Sequence, residues 1–428
     1  MIFFISLWVF ILFFKKKNVF FNFTVITFFQ LLYIVFDFFT GTSCFSSFLV
    51  GDLLSMCFIF LSIFVSFWSV YAMAVLGVDK RMFFLFFTIN FFLLGLFFFN
   101  YLIHFFVILE IVMIPIFLIL GFWGRYKERL NSGYYFIFYS FMTPIPLLIC
   151  IMCLISSGMG GIYHVEFYNF SFKSVVGLEM FLLMVGFLSK LPLFGFHIWL
   201  PKAHVDAPVR GSIILAGILL KIRSYGVMRF FFVDGFFCKL LLFFFGLGIV
   251  GVFFCGLMCV CLVDYKVIIA FSSVSHMSLS FGGLIFSYFW GYEGAFYIFL
   301  GHGLVSPVLF YLGGCLYDRS GTRMLKRGIV GGALVFFFFL FFFLVNLGFP
   351  PFINFLREVG VIYSIFIGNT YFGFLLMLGF IVSGLFIMVV FTVLNNSSTL
   401  YKSMFIKEIV LLKVFFVGVL VISYGLVF

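Results

Sequence analysis

Ionisable side chains stand where the chain is otherwise apolar. Glu110, Lys190, Lys221, Arg223, His276, His302, Arg357, Glu358 and Lys413 all lie inside hydrophobic runs. A charge at the centre of a bilayer costs about 2.5–3.5 kcal/mol on insertion scales. Groups carrying that cost pair inside a bundle or line water. The plain alternative is that they hold helices together or reach an interface by snorkelling. That alternative suits Lys413, which lies only about two turns from a helix start. For the central residues both signs occur on separate segments, which has a chemical consequence. A lysine among apolar neighbours gives up its proton more readily, and a nearby carboxylate reverses the effect. Such a pair gains or loses a proton when a neighbouring charge moves. Histidine, which titrates near neutrality, suits the positions between. These residue types meet the physical requirement for a proton relay.

Prolines adjoin the same residues. Pro192 follows Lys190, Pro307 follows His302 by five residues, and Pro350-Pro351 precede Glu358. A proline in a helix frees a carbonyl one turn earlier, and in lipid that carbonyl must meet protein or water. Interrupted helices beside ionisable residues at mid-depth are a transporter arrangement.

The elements that must hold these groups follow from composition. Hydrophobic residues make up 65% of the 428, charged residues 9%, and the mean hydropathy is +1.33. Soluble domains carry roughly a quarter charged residues, so lipid must be the main solvent. Phe, with 79 copies, replaces Leu and Ile at lipid-facing positions at little energetic cost. The net charge of +11 does not mark a nucleic-acid surface, because the charges fall in short gaps between apolar runs and form no single basic face. Cys150-x-x-Cys153 and the Cys255, Cys259, Cys261 cluster lie within apolar runs with no second ligand set, which reads as ordinary buried thiols and no metal. Met1–Phe14 precedes Lys15-Lys16-Lys17, the wrong side for a signal peptide, and reads as a short first helix.

A span needs about 20 apolar residues. Cutting at charged and Gly/Asn/Ser-rich gaps predicts an all-α polytopic membrane protein of about fourteen transmembrane helices. The segments are 1–14, 18–39, 48–70, 82–100, 101–121, 133–157, 177–200, 211–232, 238–262, 266–289, 293–316, 329–366 with a break, 371–394 and 405–427. Most lysines and arginines fall in alternate gaps, among them Lys15–Lys17, Lys80, Arg81, Arg125, Lys202, Arg210, Lys266, Arg323, Lys326 and Lys402. Alternation of this kind supports the count and puts those gaps on the positively charged side of the membrane. Residues 187–200 (FLSKLPLFGFHIWL) align weakly with 343–356 (FLVNLGFPPFINFL). The two stretches belong to the seventh and twelfth spans and cross in opposite directions, as an inverted repeat requires. The predicted organisation is N-terminal helices at 1–81, a first five-helix repeat at 82–232, a second, inverted one at 238–394, and a C-terminal helix at 395–428. Helices seven and twelve are predicted to be broken.

Ser189–Met228, SKLPLFGFHIWLPKAHVDAPVRGSIILAGILLKIRSYGVM, resembles the signature stretch of the antiporter-like subunits of respiratory complex I. Arg129–Tyr139, Asp264–Met277 (DYKVIIAFSSVSHM), Leu300–Leu304 (LGHGL) and Asn346–Val361 (NLGFPPFINFLREVGV) are similar to that family in the same order. The resemblance implies that Glu110 is the glutamate of the fifth span and Lys190 its partner lysine on the seventh. Lys221 becomes the bridging lysine of the eighth, His302 the histidine of the eleventh and Glu358 the terminal ionisable group of the twelfth. Subunits 2 and 5 of the family carry lysine at that last position. Arg223 and Arg357 stand where the family usually has glycine. The implied function is proton translocation coupled to quinone reduction, with no cofactor in this chain. FMN, iron–sulfur clusters and ubiquinone belong to other subunits. Implied partners are the antiporter-like subunits 2 and 5, accessory subunits and lipids such as cardiolipin, with no nucleic acid. The implied location is the mitochondrial inner membrane, the Lys/Arg-rich loops facing the matrix. Two other readings remain: an Mrp-type cation/proton antiporter, which lacks flavin and iron–sulfur partners, and a structural subunit with an idle axis. The last predicts that Lys190→Ala and Glu110→Ala leave pumping intact.

Overall fold

The computed structural model describes residues 52–76, 80–99, 101–124, 127–156, 182, 185–231, 239–286, 288–324, 333–349 and 352–395. The expected spans 1–14, 18–39 and 405–427, together with Lys413 and the Pro350-Pro351 pair, lie outside these residues. Among the described residues, eight helices are long and apolar enough to cross a membrane. Helix is the only open-chain answer to that setting, since every backbone N–H and C=O then bonds within its own segment.

The chain divides into two compact units at Gly186/Phe187. In the first, α1 (Leu53–Leu76), α2 (Lys80–Phe98), α3 (Leu102–Trp123), α4 (Arg129–Met142) and α5 (Pro144–Leu154) follow one another along the chain. Phe58 of α1 stacks on Phe97 of α2 at 5.8 Å between centroids. Buried Ser62, Ser66 and Ser69 return their hydroxyls to carbonyls three residues back, so α1 buries small polar groups without leaving donors unpaired. Gly124 N–H closes on the Leu120 carbonyl at the end of α3. Arg129 Nη1 then donates to the carbonyls of Gly124 (3.1 Å) and Phe122 (3.4 Å), placing a cation at the negative end of α3.

The second unit contains α6 (Trp199–Asp206), α7 (Val209–Ile214), α8 (Leu220–Phe231), α9 (Lys239–Cys261), α10 (Tyr265–Ile285), α11 (Phe289–Ser320), α12 (Ala333–Asn346), α13 (Ile353–Gly368) and α14 (Thr370–Asn395). Residues 211–228 of the α7–α8 rod are buried throughout, and α10 and α11 are nearly as enclosed. These three lines of helix are the interior of the unit. Glycines set how closely its helices approach. A Cβ on Gly291 of α11 would meet the Gly283 carbonyl of α10, and one on Gly294 would come 2.8 Å from the Arg357 carbonyl of α13. A Cβ on Gly301 would overlap the Asn354 side chain. Since Gly301 faces Asn354 and Gly291 faces Ser364, α11 and α13 run antiparallel.

The expected segments 101–121, 211–232, 238–262, 266–289, 293–316 and 371–394 coincide within a few residues with α3, α7–α8, α9, α10, α11 and α14. Both expected interruptions are present. The chain leaves helix after Leu188, turns through to Ile198 with Gly195 at φ 96°, and resumes helix at Trp199. Helix stops again at Asn346 and resumes at Ile353, and after Asn346 the chain turns with Gly348 at φ 65°, a region open to glycine at little cost.

Three features differ from expectation. Pro307 does not interrupt its span: α11 runs unbroken from Phe289 to Ser320, and its neighbours bury the turn before the proline. A π turn at Leu215–Leu219 widens the eighth span, although no proline or charge there announces it. Lys266, expected with the loop charges, is fully buried. It lies in the first turn of α10, and its Nζ reaches the Val205 carbonyl of α6 at 3.4 Å.

Candidate functional site

Three of the candidate residues come together in the second unit. Lys221 opens α8 just after the π turn, with no exposed surface. Its Nζ donates to the Ala216 carbonyl inside that turn at 2.8 Å, and it lies 2.8 Å from Nδ1 of His302 on α11. The His302 ring stands 5.8 Å, centroid to centroid, from that of His276 on α10. His276 Nδ1 in turn approaches Oε1 of Glu358 on α13 at 3.2 Å. Lys221, His302, His276 and Glu358 thus form one row across four helices, and all are buried.

The backbone explains how each side chain arrives there. The wider π turn turns the Ala216 carbonyl toward the Lys221 amine, a common use of such bulges. Glu358 belongs to a helix restarted by the break, and its carboxylate packs against Gly348, where a Cβ would come 2.7 Å from Oε2. Asn354, one turn earlier, donates from Nδ2 to the Val345 carbonyl at 3.2 Å and so ties α13 to the end of α12. Neither carboxylate oxygen of Glu358 has a hydrogen-bond partner among the described residues, so its approach to His276 is its main polar contact there.

Lys190 lies in the first interruption, 3% exposed, its N–H bonded to the Phe187 carbonyl at 3.2 Å. Glu110 is on α3 of the first unit, half-buried and next to the buried Leu109. Arg223, two residues after Lys221, is buried with its guanidinium 5.8 Å from the centre of the Phe187 ring. Arg357 turns away from its neighbour Glu358. Its Nη1 lies 3.4 Å from Glu293 Oε2 and its guanidinium stands 3.9 Å from the centre of the Tyr297 ring.

Two histidines matter more than their sequence context announced. His276 bridges His302 and Glu358, and its place inside an apolar run was the only signal. His204 on α6 is fully buried, stacks on Phe310 at 4.3 Å, and has neither ring nitrogen hydrogen-bonded among the described residues. It lies within electrostatic reach of Lys221, Lys266 and His302. No spacing rule ties His204 to Lys221. Only the meeting of α6, α8 and α11 does.

Chemically the row contains several groups that carry positive charge when protonated and one carboxylate. The 2.8 Å Lys221–His302 contact works in either direction. A charged ammonium donates to a neutral Nδ1, or a protonated Nδ1 donates to a neutral amine.

The transmembrane model of the NADH:quinone oxidoreductase/Mrp antiporter family matches residues 99–385. NADH-ubiquinone oxidoreductase chain 4 of Gadus morhua is 37% identical over 286 residues, 65% of this chain and 62% of that protein. The chain 4 of Branchiostoma floridae is 34% identical over 316 residues, 71% of this chain and 69% of that one. The match to the fish chain 4 proteins spans 59% to 62% of their length, less than two thirds. Among solved structures, a chain of respiratory complex I from Thermus thermophilus with bound NADH superposes with a TM-score of 0.82 at 21% identity, over 94% of this chain and 90% of that one. A chain of the membrane-bound sulfane sulfur reductase, an archaeal respiratory membrane complex, gives 0.84 at 17% identity, over 99% and 92%. At such identities these two show the fold alone. On the family model and the chain 4 relatives together, this chain belongs to the NADH:quinone oxidoreductase/Mrp antiporter family of transmembrane proteins.

Proposed function

We propose that the chain is a proton-translocating membrane subunit of NADH:ubiquinone oxidoreductase. It moves protons along its buried row while electrons pass to quinone in other subunits. The observation that carries the reading is the continuity of Lys221, His302, His276 and Glu358. A proton on Lys221 passes to His302 Nδ1 along their 2.8 Å contact, leaving a neutral amine held by the Ala216 carbonyl side of its site. The 5.8 Å separation of the two imidazoles is bridged by one water or a ring rotation. His276 then faces Glu358, which accepts the proton and becomes neutral. The row cannot be protonated throughout. With several potential cations and a single carboxylate in a buried interior, a proton entering at one position makes the others harder to keep. That mutual exclusion couples the positions, so that a change of charge at one shifts the proton held at the next.

On the family resemblance, Glu110 and Lys190 are the carboxylate and ammonium at which proton transfer is switched. The same resemblance supports a chain without a redox centre of its own, assembled beside the antiporter-like subunits 2 and 5 with accessory subunits and lipids such as cardiolipin. It further supports a place in the mitochondrial inner membrane, with the Lys/Arg-rich loops toward the matrix. An Mrp-type antiporter shares the fold but would not co-purify with flavin and iron–sulfur subunits. The decisive experiment is Lys190→Met in the intact complex. Quinone reduction and assembly should persist while the proton yield per electron falls. An unchanged yield would overturn the proposal.

A further inference from the structure

Glu358 depends on a helix tied to the one before it by a side-chain bond, Asn354 Nδ2 to the Val345 carbonyl. Continuous helix ends at Asn346 and restarts at Ile353, so α12 does not transmit its own angular setting to α13. Packing against its neighbours sets it instead, and the most extensive of those contacts is with α11. Asn354 sits against Gly301, the Arg357 carbonyl lies over Gly294, and Ser364 lies over Gly291, which makes one line of close approach along α13. These glycines let the helices touch but, having no side chains, resist rotation weakly. Among the described residues, Arg357 supplies a polar fastening to α11. Its guanidinium stands 3.9 Å from the centre of the Tyr297 ring and 3.4 Å from Glu293 Oε2, both on α11. Glu293 and Tyr297 are four residues apart, one turn of one helix face, so the planar guanidinium is held between two anchors on a single rigid element.

Neighbouring residues on a helix point about 100° apart. With Arg357 held toward Glu293 and Tyr297, Glu358 is turned to His276 on α10 and to Gly348 in the break. We infer that Arg357 is a positioning residue: clamped by Glu293 and Tyr297, it fixes the rotation of α13 so that the Glu358 carboxylate meets His276. The inference rests on the proposed role of Glu358 in proton transfer. It assigns Arg357, Glu293 and Tyr297 no proton of their own to carry. The pair is only partly enclosed, with side chains 20% and 35% exposed, so its value is angular and not a large gain in stability.

The test uses the intact respiratory complex in membrane vesicles, with proton pumping and quinone reduction measured on the same preparation. Arg357→Met should lower pumping at least several-fold while quinone reduction stays near wild type. Arg357→Lys, which keeps a cation over the ring, should restore most of it. Glu293→Gln, an isosteric change that leaves Arg357 in place, should give an intermediate loss. It also serves where the Arg357→Met complex fails to assemble. The discriminating measurement is the cycle with Glu358→Gln. If Arg357 acts through Glu358, the double variant pumps no worse than Glu358→Gln alone, whereas a merely structural role makes the two losses multiply. Wild-type pumping in both Arg357→Met and Glu293→Gln, or multiplying losses, would overturn the inference. Wild-type pumping in Glu358→Gln would instead overturn the role of Glu358 on which it rests.

Discussion

Nζ of Lys221 lies 2.8 Å from Nδ1 of His302, on helices eighty-one positions apart in sequence, with both residues shut away from the surface. Two basic groups this close cannot both hold a full positive charge without a large electrostatic penalty. A single proton shared between them avoids that penalty. The adjacent Ala216 carbonyl, also 2.8 Å from Nζ, accepts a second hydrogen bond from the lysine.

This sharing makes Lys221→Met a sharp probe. Methionine keeps the length of the stem and removes the amine, so helix packing should survive. Pumping should fall at least tenfold, with the complex assembled on native gels and quinone reduction retained. A Lys221→Met complex with normal pumping would contradict the row.

Removing one partner from the far end separates stability from function. His276→Leu leaves Glu358 buried beside an apolar side chain, and leaving a buried polar group without a partner costs about 1–3 kcal/mol. Thermal unfolding of the membrane arm should occur at lower temperature in this variant. His276→Leu with Glu358→Leu should recover much of that loss, since no unmatched polar group remains, yet should not recover pumping. Recovery of pumping in the double variant would show that neither group carries protons.

The break before α13 gives a backbone test. Gly348 adopts φ 65°, and a Cβ there would come 2.7 Å from Glu358 Oε2. Gly348→Ala should cost about 1–2 kcal/mol for the left-handed conformation alone, and it should also displace the carboxylate. Lower thermal stability together with reduced pumping is the expected pair of results. A loss of stability with unchanged pumping would mean that the carboxylate can shift without harm.

Gly301→Ala probes the seam between α11 and α13. Its new methyl would overlap the Asn354 side chain, which holds the Val345 carbonyl across the break. Overpacking of this kind costs about 1–3 kcal/mol. The second change Asn354→Ala should relieve the clash but remove the bond across the break, leaving the Val345 carbonyl only the Gly348 N–H at 3.2 Å. The double variant should therefore be more stable than Gly301→Ala and less stable than wild type in a melting assay.

Much of this was legible in the chain itself. Runs of about 20 apolar residues set the helices, because lipid offers the backbone no partner and each segment must satisfy its own hydrogen bonds. Lys221, His302 and Glu358 stood out for the same reason: a charged residue in such a run needs a structural or chemical explanation. The interruptions at Lys190 and before Glu358 were marked by their prolines and glycines. Yet proline was an uneven guide, since α11 passes straight through Pro307. Loop charge was uneven as well: Lys266 lies in a charged gap by sequence and is buried in the structure, because a long side chain near a helix start can turn inward as easily as outward.

Tertiary structure alone decided which ionisable groups meet. Sequence registers that a histidine is buried, but the azimuth of a helix in a bundle is set by its packing against neighbours. That is why His276, one of several titratable residues in apolar runs, became the bridge between His302 and Glu358. It is also why Arg357, adjacent to Glu358 in the chain, turns to Glu293 and Tyr297 instead. Apolar patterning and the cost of burying charge determined that this protein crosses a membrane and carries a set of buried ionisable residues. Their order as a row depends on contacts between α8, α10, α11 and α13, whose distances in sequence carry no information about their distances in space.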